Sequence, residues 1–191
     1  MFPPLSSKLV ARWILVTLAA SVIAALDGGW VASWAALAPS RIWQGEVWRL
    51  VTWPFVEPGP MSLLLTCASI YKFGGELAYA WGDRRLRRFI TEVMLAAAVV
   101  TCVVAPVAGG AHLWHLGGWA VADTLVIAWA RQFPARTLVL YGLVALRGRE
   151  LVTITVAINV LYAIYAGPIA IAPELVACAA AAAYPSARLR R

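Results

Sequence analysis

Charge is scarce in this sequence. Asp, Glu, Lys and Arg make up 13% of its 191 residues, about half the share usual in soluble domains. A soluble globule needs a polar surface over its core, and the shortage excludes one. Hydrophobic residues reach 62% and the mean hydropathy is +0.78, so most of the chain belongs in lipid. Histidine is limited to His112 and His115. Two ligands with no Cys or acid beside them in sequence do not make a metal site, so they read as interfacial histidines, and neither a metal nor another cofactor is expected. The three cysteines, Cys67, Cys102 and Cys178, sit far apart inside apolar stretches. They read as reduced packing thiols and leave the redox compartment open. The net charge is +7, but the basic residues fall between apolar segments rather than along one face, which argues against nucleic acid.

A helix that crosses the hydrocarbon core needs about 20 apolar residues, and this length accommodates six spans with short connections. They are predicted at about 8–26, 61–81, 89–107, 112–130, 150–166 and 168–184, the last pair divided by a Gly167-Pro168 turn. Residues 1–191 therefore read as a single transmembrane domain of the all-α class, without an internal repeat. Cytoplasmic connections are enriched in Lys and Arg, which tests the division. Lys8 and Arg12 open span one, Lys72 and the cluster Arg84-Arg85-Leu86-Arg87-Arg88 surround the next turn, and Arg131, Arg136, Arg147 and Arg149 lie between spans four and five. With the tail residues Arg188, Arg190 and Arg191 they share one side if the chain crosses six times; only Arg41 and Arg49 fall on the other. Both termini are then cytoplasmic, in a bacterial inner membrane or in the endoplasmic reticulum of a eukaryote, and the Arg84–Arg88 cluster lies near anionic headgroups. The start resembles a secretory signal, but the later spans favour an uncleaved first helix.

Two connections stand apart. The stretch 132–148 is apolar in its middle, bracketed by arginines and too short to span; it is expected to be re-entrant or to lie along the cytoplasmic interface. The long first connection holds Trp30, Trp34, Trp43, Trp48 and Trp53, half of the ten tryptophans. Trp favours the headgroup level, which predicts short interfacial helices that anchor the loop or perturb the bilayer.

Within the spans, Asp123, Glu174 and Asn159 stand out, with Glu92 near the start of span three. An ionisable group at bilayer depth costs at least about 2.5 kcal/mol, so it lines a wet cavity or pairs with a neighbour. Asn159 suits a hydrogen bond between helices, whereas Asp123 and Glu174 have no basic residue in their own spans. Ser62 at the outer end of span two and His112 or His115 at the outer end of span four could form a permuted hydrolase pair, although span ends are often polar for interfacial reasons. The alanine run 179–183 offers a smooth face for close helix approach.

Trp48-Arg49-Leu50 followed by Thr52 and Phe55 resembles the WR motif in the first loop of rhomboid intramembrane proteases and their relatives. Within that superfamily, Tyr71-Lys72-Phe73 before the basic loop resembles the derlins. So does Trp129-Ala130-Arg131-Gln132-Phe133-Pro134 leading to Leu140-Tyr141-Gly142-Leu143. Derlins carry W-S-R-x-N-P at this point; Ala130 and Phe133 stand here for the Ser and Asn. The resemblance covers roughly 43–167 and implies a rhomboid-like bundle of six transmembrane helices. A rhomboid protease uses a serine in a G-x-S-G turn on span four and a histidine on span six, with an H-x-x-x-N pair on span two holding the oxyanion. A serine hydroxyl needs a base, and the oxyanion needs aimed donors. Here the turn reads His115-Leu116-Gly117-Gly118-Trp119, with Gly117 at the serine position, span six has no histidine, and 62–66 lacks the pair. The resemblance thus implies a pseudoprotease and no enzymatic activity.

What the derlin likeness implies is a membrane factor that binds client membrane proteins and perturbs the bilayer in quality control or retrotranslocation. Trp48 and Arg49 would anchor the first loop. Asp123, Glu174, Ser62, His115 and Asn159 would face clients or the cavity, with Gly117 and Gly118 at the former catalytic turn. Trp129, Arg131, Pro134 and Gly142 would form the cytoplasmic turn. The implied partners are the bilayer, its client proteins, a membrane or cytosolic protease or ATPase, and a second copy of the chain. The derlin tail motif that recruits an ATPase has no counterpart in Ala187–Arg191. The rival expectations are a small transporter or ion-conducting protein working through Asp123 and Glu174, and an assembly subunit without activity.

Overall fold

Ser7 starts the first helix twice over: its hydroxyl oxygen accepts from the Val10 N–H at 3.1 Å, and its O–H donates to Asp83 at 2.7 Å. Helix α1 (Lys8–Leu26) coincides with the predicted first span. The computed structural model describes residues 7–140 and 144–185. Tyr141, Gly142 and Leu143 of the derlin-like motif and the tail arginines Arg188, Arg190 and Arg191 lie outside the described residues.

The first connection folds as α2 (Trp30–Ala35), α3 (Pro39–Ile42), α4 (Arg49–Thr52) and one 3-10 turn (Trp53–Phe55). The second rod is α5 (Pro60–Ser69) and α6 (Gly75–Trp81), joined by a π-helical turn at Ile70–Gly74 that contains Tyr71-Lys72-Phe73. Next come α7 (Asp83–Val107), α8 (Trp119–Gln132), α9 (Gly148–Ala166) and α10 (Ala172–Ala183).

Between α8 and α9 the chain departs from the all-α expectation. Strands β1 (Thr137–Leu140) and β2 (Val144–Arg147) pair antiparallel, Thr137 opposite Arg147 and Leu140 opposite Val144. A lone helix of this length is marginal, whereas Thr137, Val139 and Val144 are strand formers. A hairpin lets each strand satisfy the other's backbone groups.

Three helices, α1, α7 and α9, are long and apolar enough among the described residues to cross a membrane. The α5–α6 rod has the length but is interrupted by its π turn. Helices α8 and α10 have 14 and 12 residues, short of the roughly 20 that a lipid-facing span needs. Residues 112–118, expected at the start of span four, instead form an irregular connection, so His112 and His115 do not share a helix face. The start of expected span six is likewise a turn, in which the Ala170 N–H donates to the Gly167 carbonyl at 3.1 Å. Helix α8 is sheathed by protein, with every residue from Ala120 to Ala130 buried, so it meets little lipid.

Since lipid tails are as apolar as leucine, close packing and hydrogen bonds hold such a bundle together. Ala177 and Ala181, one turn apart and fully buried, let α10 lie against α7 and α8. At Gly148 an added Cβ would come within 3.2 Å of Ala130, so the start of α9 rests directly on α8.

Hydrogen bonds sort the helix ends into two groups. At one end Leu37 and His115 exchange backbone bonds of 2.9 Å, the Ser40 N–H donates to the Ala111 carbonyl, and the His115 ring reaches Ala170 in the α9–α10 turn. At the other, Ser7 and Leu9 bind Asp83, Trp81 binds Gln132, and Arg131 reaches the end of α10. Consecutive rods therefore run in alternating directions.

Candidate functional site

The first connection is fastened by Arg49, which is only 5% exposed. Its Nε and Nη2 lie 2.6 Å from Glu46 Oε2, and Nη1 donates to the carbonyls of Ser33 at 2.6 Å and Ala36 at 2.8 Å. A rigid fork of donors can serve an acid and two carbonyls together. Thr52 adds a bond to the Ala35 carbonyl at 3.0 Å. Trp48 stacks on Trp34 with ring centroids 5.6 Å apart.

That loop delivers Glu57, a residue that sequence reasoning missed, to the start of α8. Its carboxylate is buried; Oε1 accepts from the Gly118 N–H at 2.6 Å, and the Glu57 N–H donates to Ser21 Oγ at 3.0 Å. A carboxylate here faces the positive end of the α8 dipole. Gly117 adopts φ +108°, a conformation that favours glycine. A Cβ on Gly117 would lie 3.1 Å from Glu57 Oε2; one on Gly118 would lie 2.5 Å from Thr66 Cγ2 and 2.9 Å from Glu57 Oε1. The acid thus presses on two glycines, with no room for a side chain. One signal was available: Glu57 is the only charged residue between Arg49 and Lys72.

Ser62 and His115 are not joined. The Ser62 hydroxyl donates to the Gly59 carbonyl at 2.9 Å, and His115 Nδ1 donates to the Ala170 carbonyl at 3.1 Å. His115 lies in the connection ahead of α8, where burial holds its imidazole below the ordinary value, opposed in part by the Ala170 bond. Burial thus favours the neutral form of the ring.

Three helices bring Asp123, Asn159, Glu174 and Cys178 together. From α9, Asn159 Nδ2 donates to Asp123 Oδ2 on α8 at 2.8 Å, and from α10 the Cys178 thiol reaches the same oxygen at 3.8 Å. Glu174 Oε2 is buried without a hydrogen-bond partner among the described residues. Asp123, Asn159 and Glu174 line a cavity of about 240 Å³ together with Ser69 of α5 and Thr155 and Tyr162 of α9. Helix α9 packs mainly on α8 and leaves Leu161, Tyr162 and Tyr165 exposed, so the cavity lies behind a loosely held helix. Two acids with one amide between them can hold water, a cation or the polar backbone of a peptide.

At the opposite end, Glu76 ties the second rod to the end of α8. It accepts from Lys72 Nζ at 2.6 Å, Trp129 Nε1 at 2.7 Å and Arg136 Nη1 at 2.9 Å. Arg131 donates to the carbonyls of Ala181 at 2.6 Å and Tyr184 at 2.9 Å, capping α10. Pro134 follows in the turn that ends α8, and the Arg136 guanidinium lies 4.3 Å over the Phe133 ring. Among the described residues no group of three or more His, Cys, Asp or Glu could hold a metal. Residues 8–185 match the model of a family described as "Eukaryotic integral membrane protein (DUF1751)". No curated protein matches the chain.

Proposed function

We propose that this chain, which belongs to that family of integral membrane proteins, is a catalytically inactive, rhomboid-like scaffold, akin to the derlins, that crosses the bilayer six times and binds client membrane proteins. The observation that carries this reading is the occluded turn at the head of α8. Where the resemblance expects a serine and its base, Glu57 closes on Gly117 and Gly118, and α10 supplies no histidine. What remains usable is the polar cavity behind α9. A client span that slides in beside Ser69 and Tyr162 meets Asp123, Asn159 and Glu174 in place of lipid, which lowers the cost of a polar residue in the client. The short α8 and α10 and the exposed Trp30 and Trp43 suit a locally thinned bilayer.

Photo-crosslinkers placed at Tyr162 and, as a control, at Leu15 on α1 test the reading in native membranes. Membrane proteins captured at Tyr162 and absent at Leu15 are the expected result; equal capture at both sites defeats it. The polar cavity also admits a second reading, transport of a proton or cation. It predicts that Asp123→Asn with Glu174→Gln abolishes flux in liposomes, whereas a client-binding scaffold shows no flux to abolish.

A further inference from the structure

A second concavity shares no residue with the polar cavity. Between α1 and α7 lies an apolar groove of about 300 Å³, walled by Trp13 and Val16 on one side and Ile90 and Met94 on the other, with Phe55 of the first connection against Trp13. Both helices begin at the basic end of the bundle, so the groove has a direction. Its near end carries Arg12 and Arg87, both exposed and in no ion pair among the described residues. The acid one turn before Arg87, Asp83, is engaged in capping α1 through Ser7 and Leu9. Trp13 Nε1 is buried without a hydrogen-bond partner among the described residues.

Length and charge together select an occupant. From Arg87 to Leu95 the groove follows α7 for about 12 Å, close to one leaflet of a hydrocarbon core about 30 Å thick. An acyl chain fits an apolar slot of that reach, and two guanidiniums at its mouth require an anion at headgroup level. We propose that the groove is a binding site for one anionic phospholipid of the leaflet on the basic side. Its phosphate sits between Arg12 and Arg87, and one acyl chain lies along Ile90 and Met94 against Trp13 and Phe55. The bound lipid supports the first connection from below and ties it to α1 and α7.

The full chain, reconstituted in nanodiscs of mixed phosphatidylcholine and phosphatidylglycerol, is released into native mass spectrometry, with thermal unfolding as the check on fold. One phosphatidylglycerol is retained in preference to phosphatidylcholine. The double variant Arg12→Gln/Arg87→Gln lowers that retention by about tenfold or more, whereas Arg12→Lys/Arg87→Lys keeps most of it. Val16→Trp, at a position 49% exposed, fills the slot and removes the lipid although both arginines remain. The proposal is overturned if retention follows the bulk lipid ratio, if the Gln variant retains phosphatidylglycerol as the wild type does, or if a folded Val16→Trp protein still does. It is equally overturned if crosslinking from Val16 captures a second copy of the chain or a client helix instead of lipid.

Discussion

A methyl group added at Gly118 would stand 2.5 Å from Thr66 Cγ2 and 2.9 Å from Glu57 Oε1, and neither neighbour moves freely: both are buried, and the acid is held by the Gly118 N–H. Gly118→Ala is therefore expected to cost about 1 to 3 kcal/mol, the range of overpacked cores, seen as a lower Tm in detergent. Thr66→Ser removes the nearer obstacle, so Gly118→Ala/Thr66→Ser should recover part of the loss; strict additivity of the two changes would show that the glycine is not constrained by this contact. The same pair of glycines shows how far single residues were legible in sequence. Arg49 announced itself through its neighbours Trp48 and Leu50, and Asp123, Asn159 and Glu174 through their cost in lipid. Glu57 did not, because an acid in an outer connection looks solvated until the chain between α4 and α5 folds it inward. Ser62 and His115 looked alike in sequence as polar span ends, yet Ser62 binds the carbonyl of Gly59 in its own turn and His115 that of Ala170 in the distant α9–α10 turn, which only tertiary placement could reveal.

Among the elements, the α8–α9 connection was the least legible. Thr137 to Leu146 is apolar and short, and such a run does not distinguish a buried helix from a strand by period. The hairpin is held by Glu76, which the π turn and α6 bring to Trp129 and Arg136. The Arg136 side chain is 58% exposed, so water screens its pair and that bond contributes little. The more buried bonds from Lys72 and Trp129 dominate. Glu76→Gln keeps an acceptor for the Trp129 N–H but discharges Lys72 and Arg136. It is expected to lose about 1 to 3 kcal/mol of local stability and to expose the hairpin to trypsin at Arg136. Glu76→Ala, which also strands the indole N–H, should be worse. Cleavage at Arg136 that is unchanged in both variants would mean that Glu76 does not hold the connection. Helix α1, by contrast, was legible end to end, because the apolar run that predicts 8–26 lies wholly within its own sequence.

For the whole molecule, the open quantity is the number of crossings. Hydropathy and basic residues suggested six spans, while length in the folded chain singles out α1, α7 and α9. The two counts place the connections differently. With three crossings, the turn at Gly28 and the turn at Gly109 lie on opposite sides, and the Arg84–Arg88 cluster is separated from Lys8 and Arg12. That arrangement sets basic residues on both faces, against the usual bias. It also conflicts with the bonds from Ser7 and Leu9 to Asp83 and with the backbone pair between Leu37 and His115, each of which joins segments that three crossings would place on opposite faces. With six crossings the α5–α6 rod and the short α8 and α10 also traverse, α8 because protein surrounds it and α10 because its alanine face lets it approach α7 and α8 closely. Impermeant labelling of tags inserted at Gly28, Gly82 and Gly109 in sealed vesicles decides between them: Gly28 and Gly109 should be reached from one side and Gly82 from the other. Gly28 and Gly82 reached together, with Gly109 opposite, would leave only three crossings, and the cavity between α5 and α9 would no longer face a lipid path along which a client span could enter.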